Sequence, residues 1–345
     1  MKRIALVKER PVPGAALKEV DVPELGPKDV LVKVKAAAIC GTDIHIYAWN
    51  DWARARVRPP MIFGHEFCGE VVETGEDVTQ LSPGDLVAAE THIPCGACFQ
   101  CRTGAQHICR HMAILGVHTD GAFTDYAVIP EICAWKLPPQ TDPEVGAIYE
   151  PFGVAAHGVL MHNLAGCSVA VFGCGPIGLF AVGIARAAGA SHVFAVDVID
   201  TRLRLATQMG ATMTFNPNKQ DVPAAILAQT KGAGVDCFIE LSGSPAAVKQ
   251  GFAALRNGGA VSLIGLPAQP VTLDLTQEII YKEARVFGST GRGMFDTWYR
   301  VTAFLESGLV DPRPVITHRF SLSDYDKAFE VLIKTEDAGK VILLP

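Results

Sequence analysis

The pattern of hydrophobic and polar residues changes near residue 150. Before that point, short β-rich runs such as 30–35 and 67–73 alternate with glycine and proline, and a turn at 81–85 leads into another apolar run. Short strands broken by such turn residues are typical of irregular β-structure. We therefore predict a β-rich domain over residues 1–150.

Beyond residue 150, apolar runs of strand length alternate with runs of helix length. Predicted strands cover 169–172, 192–196, 235–240 and 260–264, and predicted helices cover 177–188, 201–209 and 244–255. This alternation indicates a parallel, doubly wound sheet. The predicted fold class is therefore α/β, a β-rich domain joined to a domain with a doubly wound parallel sheet over residues 151–295.

The last fifty residues are predicted to return to the first domain. An amphipathic helix is expected at 298–305, a second helix after Ser323 and a final strand at 340–344. Residues 1–150 with 296–345 then form the first domain, which we expect to carry the metal sites.

Composition and charge narrow the class of protein. Of the 345 residues, 49% are hydrophobic and 19% are charged, which indicates a folded protein with two cores. The formal net charge of −6 disfavours nucleic acid or an anionic membrane as the main partner, because both bind basic surfaces. Residues 166–185 carry no charge and could span a bilayer by length, but their central glycines and proline favour a buried strand, turn and helix.

Four of the ten cysteines follow the spacing C-x2-C-x2-C-x7-C: Cys95, Cys98, Cys101 and Cys109. Four thiolates this close in sequence can converge on one tetrahedral zinc, and a closed four-sulfur site leaves no position for a substrate. The spacing therefore predicts a structural zinc, with two local disulfides or an iron–sulfur cluster as alternatives. Charged residues near the N-terminus argue against a signal peptide, so we expect a reducing compartment.

A glycine motif lies between a predicted strand and a predicted helix. Gly173, Gly175 and Gly178 form G-x-G-x-x-G, which permits a tight turn, close approach to a pyrophosphate and close helix packing. Asp197 ends the next strand, where a carboxylate accepts hydrogen bonds from ribose hydroxyls and repels a 2′-phosphate. NAD is therefore favoured over NADP, although Arg202 could bind a 2′-phosphate. A Rossmann-like domain that binds no nucleotide is the alternative.

A second metal site is predicted in the β-rich half. Cys40 supplies a thiolate and His65 an imidazole, and either Glu66 or Glu150 can be the third ligand, which leaves a fourth position for water or substrate. A core histidine at His65, and a buried salt bridge or a contact behind the ligands at Glu66, are the alternatives. Zinc lowers the pKa of bound water and should act likewise on an alcohol, whose carbon could then give a hydride to a nicotinamide.

Removal of the alcohol proton requires a path out of the site. Thr42 lies two residues after Cys40 and could take the proton, and His45, three residues further on, could pass it to solvent. A turn hydroxyl and a surface imidazole are the plainer interpretations of these two residues.

Together these motifs resemble the zinc-containing medium-chain dehydrogenases, and the similarity covers essentially the whole chain. Within that superfamily, four segments are most similar to the branch that oxidises L-threonine with NAD: 38–47, 91–95, 150–153 and 291–299. The resemblance implies a GroES-like catalytic domain, one catalytic and one structural zinc per subunit, a cytoplasmic location and a homotetramer. The product it implies, 2-amino-3-oxobutanoate, is a β-keto acid that loses carbon dioxide readily.

The resemblance also implies roles for particular residues. Catalytic zinc is expected at Cys40, His65 and Glu66, a proton relay at Thr42 and His45, and a catalytic carboxylate at Glu150. Structural zinc is expected at the four clustered cysteines. The NAD contacts that it implies are Ile177, Asp197, Arg202, Ile264, Gly265, Leu266, Ser289 and Thr290.

The sequence departs from the family pattern at Val154, where asparagine is expected, and at Ser289 and Thr290, where a more apolar pair is expected. These departures bear on the substrate more than on the chemistry. A polyol or diol such as sorbitol or 2,3-butanediol is therefore the alternative substrate. A non-catalytic protein that binds zinc and nucleotide is an alternative of another class, and a zinc-ribbon nucleic-acid binder is disfavoured by the negative charge.

Overall fold

The computed structural model describes residues 1–335 and 338–345. These residues divide into two compact units, residues 1–150 with 316–345 and residues 151–315. Residues 296–315, which the sequence placed with the first domain, therefore belong to the second unit. The reason is packing within that unit, because Val310 is buried and lies 2.9 Å from the position that a Cβ of Gly183 would occupy.

The N-terminal part of the chain is mostly short strands joined by turns and brief helices. Its strands are Lys2–Lys8 (β1), Ala16–Asp21 (β2), Asp29–Ala38 (β3), Met61–Ile62 (β4), Glu66–Thr74 (β5), Leu86–Ala89 (β6), His92–Ile93 (β7), Ala113–Ile114 (β8), Tyr126–Pro130 (β9) and Ala134–Lys136 (β10). Its helices are Gly41–Ala48 (α1), Asp51–Arg56 (α2), Phe99–Arg102 (α3) and Pro143–Ala147 (α4), and Tyr149–Val159 (α5) begins in this unit but belongs mostly to the second.

The second unit is a six-stranded parallel sheet flanked by helices, in the strand order β13-β12-β11-β14-β15-β16. Its strands are Ser168–Phe172 (β11), His192–Val196 (β12), Met213–Phe215 (β13), Val235–Glu240 (β14), Leu255–Leu263 (β15) and Arg285–Gly288 (β16). Its helices are Pro176–Ala187 (α6), Asp200–Gln208 (α7), Val222–Gln229 (α8), Pro245–Ala254 (α9) and Asp296–Glu306 (α10). The predicted α/β class and doubly wound sheet are confirmed.

The C-terminal segment completes the first unit. It contributes Ile316–Ser321 (β17), Tyr325–Lys334 (α11) and Lys340–Leu344 (β18), and β18 pairs with β3 in the main sheet, whose order is β10-β6-β5-β3-β18-β17. β9 also pairs with β3, and β2-β1-β4 and β7-β8 form two smaller sheets. The predicted return of the chain therefore begins at residue 316.

Each unit has its own hydrophobic core. In the first, the rings of Phe63, Phe123 and Phe329 meet in one buried cluster, with the Phe63 and Phe123 centroids 5.2 Å apart. In the second, Phe238 packs edge-on against Phe252 at 5.1 Å between the sheet and α9. None of the helices within the described residues has both the length and the apolar character needed to cross a bilayer, and the uncharged run 166–185 is divided between β11, a glycine turn and α6.

Candidate metal centres and cofactor cleft

The four clustered cysteines converge in a loop that follows β7. All four sulfur atoms lie within 4.8 Å of one another, and Cys98 Sγ lies 3.5 Å from Cys101 Sγ and 3.8 Å from Cys109 Sγ. Four sulfurs around one zinc at 2.3 Å would be separated by about 3.8 Å, so the spacing fits a tetrahedral ion.

Backbone N–H groups point at this sulfur cluster. The N–H groups of Cys95 and His111 each donate to Cys109 Sγ at 3.3 Å. Backbone donors from Cys101 and Arg110 lower the pKa of the Cys98 thiol to about 6, whereas burial raises that of Cys101 to about 12. The loop therefore favours at least one thiolate without a metal, and a bound zinc ion would favour the others because coordination deprotonates a thiol.

The second group of metal-binding side chains comprises Cys40, His65 and Glu66, whose ligand atoms also lie within 4.8 Å of one another. Strand register assembles them: Ala38 at the end of β3 pairs with Glu66 at the start of β5, so Cys40 emerges beside His65. Gly64 permits this turn, because its φ is 92° and a Cβ would lie 2.5 Å from the buried ring of Phe123. A thiolate, an imidazole and a carboxylate form a donor set that zinc prefers.

Asp43 contacts two of these three residues, Cys40 and His65. One of its oxygens accepts the Cys40 N–H at 2.9 Å, and the other lies 3.4 Å from His65 Nδ1. These last two atoms are buried, and neither has a closer hydrogen-bond partner. Burial disfavours the charged imidazole, but Asp43 and Cys40 together outweigh it and raise the pKa of His65 well above its usual value. With Nδ1 turned toward a carboxylate, the other ring nitrogen remains for a metal, an arrangement common among zinc-bound histidines.

Lys340 neutralises Glu66 inside the unit. Its Nζ lies 2.6 Å from Glu66 Oε1 and also contacts Oε2, and it reaches the Ile39 carbonyl at 3.4 Å. Burial alone would lower the pKa of Lys340, but the charges of Glu66 and Cys40 raise it. Burial also raises the pKa of Glu66, and the charge of Lys340 opposes that rise. Sequence reasoning missed Lys340, and no local motif could reveal a contact across 274 residues.

Glu150 lies outside the group of three. It is 8% exposed, and Thr91 Oγ1 donates to its Oε1 at 3.4 Å. Its charge nevertheless raises the pKa of Glu66, an effect smaller than those of burial and of Lys340. Of the two carboxylates left open by the sequence, the structure brings Glu66 to Cys40 and His65.

Thr42 and His45 lie one turn apart on α1. Thr42 is half-buried and lies two residues after Cys40, the N-cap of α1, and His45 is exposed. Residues three apart on a helix share a face, so Thr42 and His45 lie on the same side of α1.

A cleft of about 530 Å³ lies at the carboxyl ends of the strands in the second unit. Gly173, Gly175, Asp197 and Arg202 line it, together with the loop after β14. Gly173 has φ of 94°, and a Cβ on Gly178 would lie 1.8 Å from the Gly173 carbonyl, so larger residues would open the turn. The N-terminus of α6 follows directly, where free N–H groups and the helix dipole attract phosphates.

Both carboxylate oxygens of Asp197 are already oriented by backbone donors. Oδ2 accepts the Cys174 N–H at 2.7 Å and Oδ1 accepts the Ile199 N–H at 2.9 Å. Each oxygen has a further lone pair, so the side chain can still accept a ribose hydroxyl. Arg202 Nε is buried without a hydrogen-bond partner, which leaves a donor for a ligand in the same cleft.

The other predicted cofactor residues lie elsewhere in the second unit. Ile177 is in the first turn of α6, and Ile264, Gly265 and Leu266 follow β15, with Leu266 87% exposed. Ser289 and Thr290 follow β16, and Ser289 Oγ is buried without a hydrogen-bond partner.

Glu240, at the end of β14, was missed by sequence reasoning. Its Oε1 accepts N–H bonds from Ser242 at 2.8 Å and Gly243 at 3.0 Å, and this buried side chain thereby braces the loop that borders the cleft. A Cβ on Gly265 would lie 2.4 Å from Glu240 Oε2, so a larger residue at 265 would displace that brace.

Comparison with known proteins matches both units. The family model described as zinc-binding dehydrogenase matches residues 176–307, and that of the alcohol dehydrogenase GroES-like domain matches residues 26–139. An L-threonine 3-dehydrogenase of Bacillus velezensis is 49% identical over 345 residues, which is 100% of this chain and 99% of that protein.

Two solved structures extend the comparison. A zinc-binding dehydrogenase from Sinorhizobium meliloti bound to NADP has a TM-score of 0.92 at 35% identity, and 2R,3R-butanediol dehydrogenase from Bacillus subtilis has a TM-score of 0.90 at 30% identity. In both cases the match covers 100% of each chain.

Proposed function

The chain belongs to the zinc-binding dehydrogenases with a GroES-like alcohol dehydrogenase domain, and from this membership we propose that it oxidises L-threonine with NAD. The secondary alcohol loses a hydride to NAD and a proton to the protein, which gives 2-amino-3-oxobutanoate and NADH. The observation that carries this proposal is the 49% identity, over the full length, to an L-threonine 3-dehydrogenase.

Cys40, His65 and Glu66 would hold the catalytic zinc, and the clustered cysteines would hold a structural zinc. When bound, the catalytic zinc supplies a Lewis acid that favours the ionised form of an alcohol. Asp43 orients His65 through Nδ1, and Lys340 balances the charge of Glu66. These two residues therefore support the three metal-binding side chains.

Thr42 and His45 would carry the alcohol proton to solvent. The Thr42 hydroxyl would accept the substrate proton while its own proton passes to His45, which is exposed one turn further along α1 and would give a proton to bulk water. Glu150, an almost fully buried carboxylate, would bind the ammonium group of threonine.

NAD would bind in the cleft lined by Gly173, Gly175 and Asp197, with Gly178 packing α6 against the turn. When bound, NAD supplies the acceptor for the hydride. Asp197 would accept hydrogen bonds from the adenosine ribose and disfavour the 2′-phosphate of NADP. Further contacts are proposed for Ile177, Arg202, Ile264, Gly265, Leu266, Ser289 and Thr290.

A 2,3-diol is the second candidate substrate, favoured by the likeness to 2R,3R-butanediol dehydrogenase. The test is the initial rate of NADH formation from L-threonine, 2,3-butanediol and sorbitol at equal enzyme concentration. We expect the highest kcat/KM with L-threonine. A higher kcat/KM on a diol or polyol would overturn the threonine assignment, and activity retained by Cys40→Ser would overturn the metal site.

We further propose that the protein is a cytoplasmic homotetramer. The edge strand β16 of the parallel sheet leaves one row of backbone donors and acceptors without a partner strand in this unit, and Val286 on it is 41% exposed. A second copy could pair with that edge. None of the ten cysteines forms a disulfide, which suits a reducing compartment.

A further inference from the structure

A tight turn after α1 brings Asn50 back to the last turn of the same helix. Trp49 adopts a left-handed backbone, with φ of 55°, and its N–H bonds to the Ile46 carbonyl at 3.2 Å. Its indole is buried, and the Lys8 ammonium lies 5.1 Å from the ring centroid. The Asn50 N–H then reaches the His45 carbonyl at 3.4 Å. Backbone hydrogen bonds alone therefore hold Asn50 beside His45.

Helix α2 decides which way the amide of Asn50 faces. Asn50 is the N-cap of α2, and its Oδ1 accepts the Ala53 N–H at 3.2 Å. An amide side chain has one acceptor atom, so this bond assigns the oxygen and turns the nitrogen toward His45. Nδ2 of Asn50 lies 2.7 Å from Nδ1 of His45.

The hydrogen bond between these two nitrogens has only one possible polarity. An amide nitrogen donates and does not accept, so Nδ1 of His45 must offer its lone pair. A neutral imidazole that accepts at Nδ1 carries its proton on Nε2. We propose that Asn50 is a positioning residue that holds His45 in this tautomer, with Nδ1 accepting the amide N–H and the ring proton on Nε2. The consequence for catalysis rests on the proposed relay through His45. The assignment of the tautomer rests only on the contacts of Asn50.

Other groups around His45 are aromatic or more distant charges. The Trp52 ring lies 5.7 Å from the imidazole, and the guanidinium of Arg56 lies 4.9 Å from the Trp52 ring on the same helix. α2 also carries Asp51 and Arg54, which pair with each other. α11, which packs against α1, carries Tyr325 and Asp326 near Tyr47. Asp43, on α1 itself, faces His65.

The unsubstituted protein, Asn50→Asp and Asn50→Ser together distinguish the effect of Asn50 on His45 from its role as the N-cap of α2. Asparagine, aspartate and serine are all favoured N-caps, so Asn50→Asp and Asn50→Ser keep the bond to Ala53. Aspartate offers only acceptors to Nδ1 and requires a proton there, while serine is too short to replace the amide donor. Thermal unfolding of the holoenzyme, expected within about 2 °C among the three forms, checks that the cap is retained.

Hydrogen–deuterium exchange at the Cε1 carbon of His45, followed by mass spectrometry between pH 5 and 9, measures its protonation midpoint in each form. We expect the midpoint to rise from the unsubstituted protein to Asn50→Ser and again to Asn50→Asp, the last by about one to three pH units. Equal midpoints in all three forms would overturn the proposal.

Kinetics then distinguish this proposal from the relay. The pH profile of kcat/KM for L-threonine should shift in Asn50→Asp in the same direction as the His45 midpoint, and the shift should vanish in a His45→Asn background. If the midpoints move and the kinetic profile does not, the role of Asn50 stands and the relay through His45 is wrong.

Discussion

The ammonium of Lys340 lies 2.6 Å from Glu66 Oε1 in a region where both side chains are buried. A buried carboxylate such as that of Glu66 needs a compensating charge, because transfer of an isolated ion from water costs several kcal/mol. At the scale of single residues, this pair and the Asp43 carboxylate set the charge of the candidate metal centre.

Lys340→Met should leave Glu66 buried without a cation. We expect a loss of about 3–5 kcal/mol in the free energy of unfolding, the usual cost of breaking a buried ion pair from one side. Urea denaturation measures it. The double variant Lys340→Met with Glu66→Gln should recover most of the loss, and additive losses in the double variant would contradict the pairing.

A second prediction at the scale of single residues concerns His162 in the second unit and the pH dependence of stability. Its Nε2 lies 3.0 Å from Ser262 Oγ, whose own proton goes to the Gly158 carbonyl, so the neutral imidazole donates to serine. Burial, with a smaller effect of Arg285, lowers the pKa of His162 below 6.5. The unfolded chain therefore binds this proton first as pH falls, and the stability that His162 contributes is full above pH 6.5 and declines below it.

The measurement is urea denaturation of the wild type and of His162→Gln, which keeps a donor but does not titrate. The wild type should lose stability relative to the variant by at most about 1.4 kcal/mol per pH unit between pH 6.5 and 5. Parallel curves over that range would show that His162 does not titrate differently on folding.

At the scale of elements, the segment from Cys95 to Cys109 has little regular structure to organise it. Its one α-helix, α3, has four residues, and a single turn of 3-10 helix follows. The converging sulfurs are therefore the main internal constraint, and a structural zinc contributes directly to the folding of such a loop.

Cys98→Ser should remove one zinc per subunit and lower the thermal midpoint of unfolding by at least about 5 °C. Metal content by mass spectrometry and calorimetry measure the two effects. Cys167→Ser is the matched control, because Cys167 is half-buried and belongs to neither metal-binding group. Equal zinc content in the two variants would refute the structural site.

The turn from β11 to α6 and the end of β12 form the second functional element. Asp197→Ala should weaken NAD binding by about 10–100-fold, the worth of charge-assisted hydrogen bonds to the ribose, while NADP is affected less. Ratios of kcat/KM for the two cofactors measure it. Asp200→Ala is the control, because Asp200 pairs with Lys219 and Asn216 instead of lining the cleft. An unchanged ratio in Asp197→Ala would exclude the ribose role.

At the scale of the whole molecule, the proposed tetramer can be tested at the exposed edge strand β16. Val286→Lys places a charge on that edge, which should block strand pairing and yield species smaller than the tetramer. Light scattering after size-exclusion chromatography measures the mass. Val12→Lys is the control, because Val12 is similarly exposed in the first unit. An unchanged mass in Val286→Lys would exclude β16 from the interface.

The sequence was sufficient to predict elements whose structure depends on neighbouring residues along the chain. Strands 192–196, 235–240 and 340–344 were predicted at the observed bounds because their apolar runs end at clear turn signals. Elements without such periodicity were missed, among them β13, β16 and α8, whose short apolar runs do not distinguish helix from strand.

The sequence by itself determined the α/β class, the cysteine cluster and the glycine turn, because each is a local pattern whose spacing already constrains the geometry. Only the tertiary structure decided that Glu66 meets Cys40 and His65, that Lys340 balances it, and that residues 296–315 belong to the second unit. Those contacts join segments tens to hundreds of residues apart, and they form only when strand register and core packing bring the segments together.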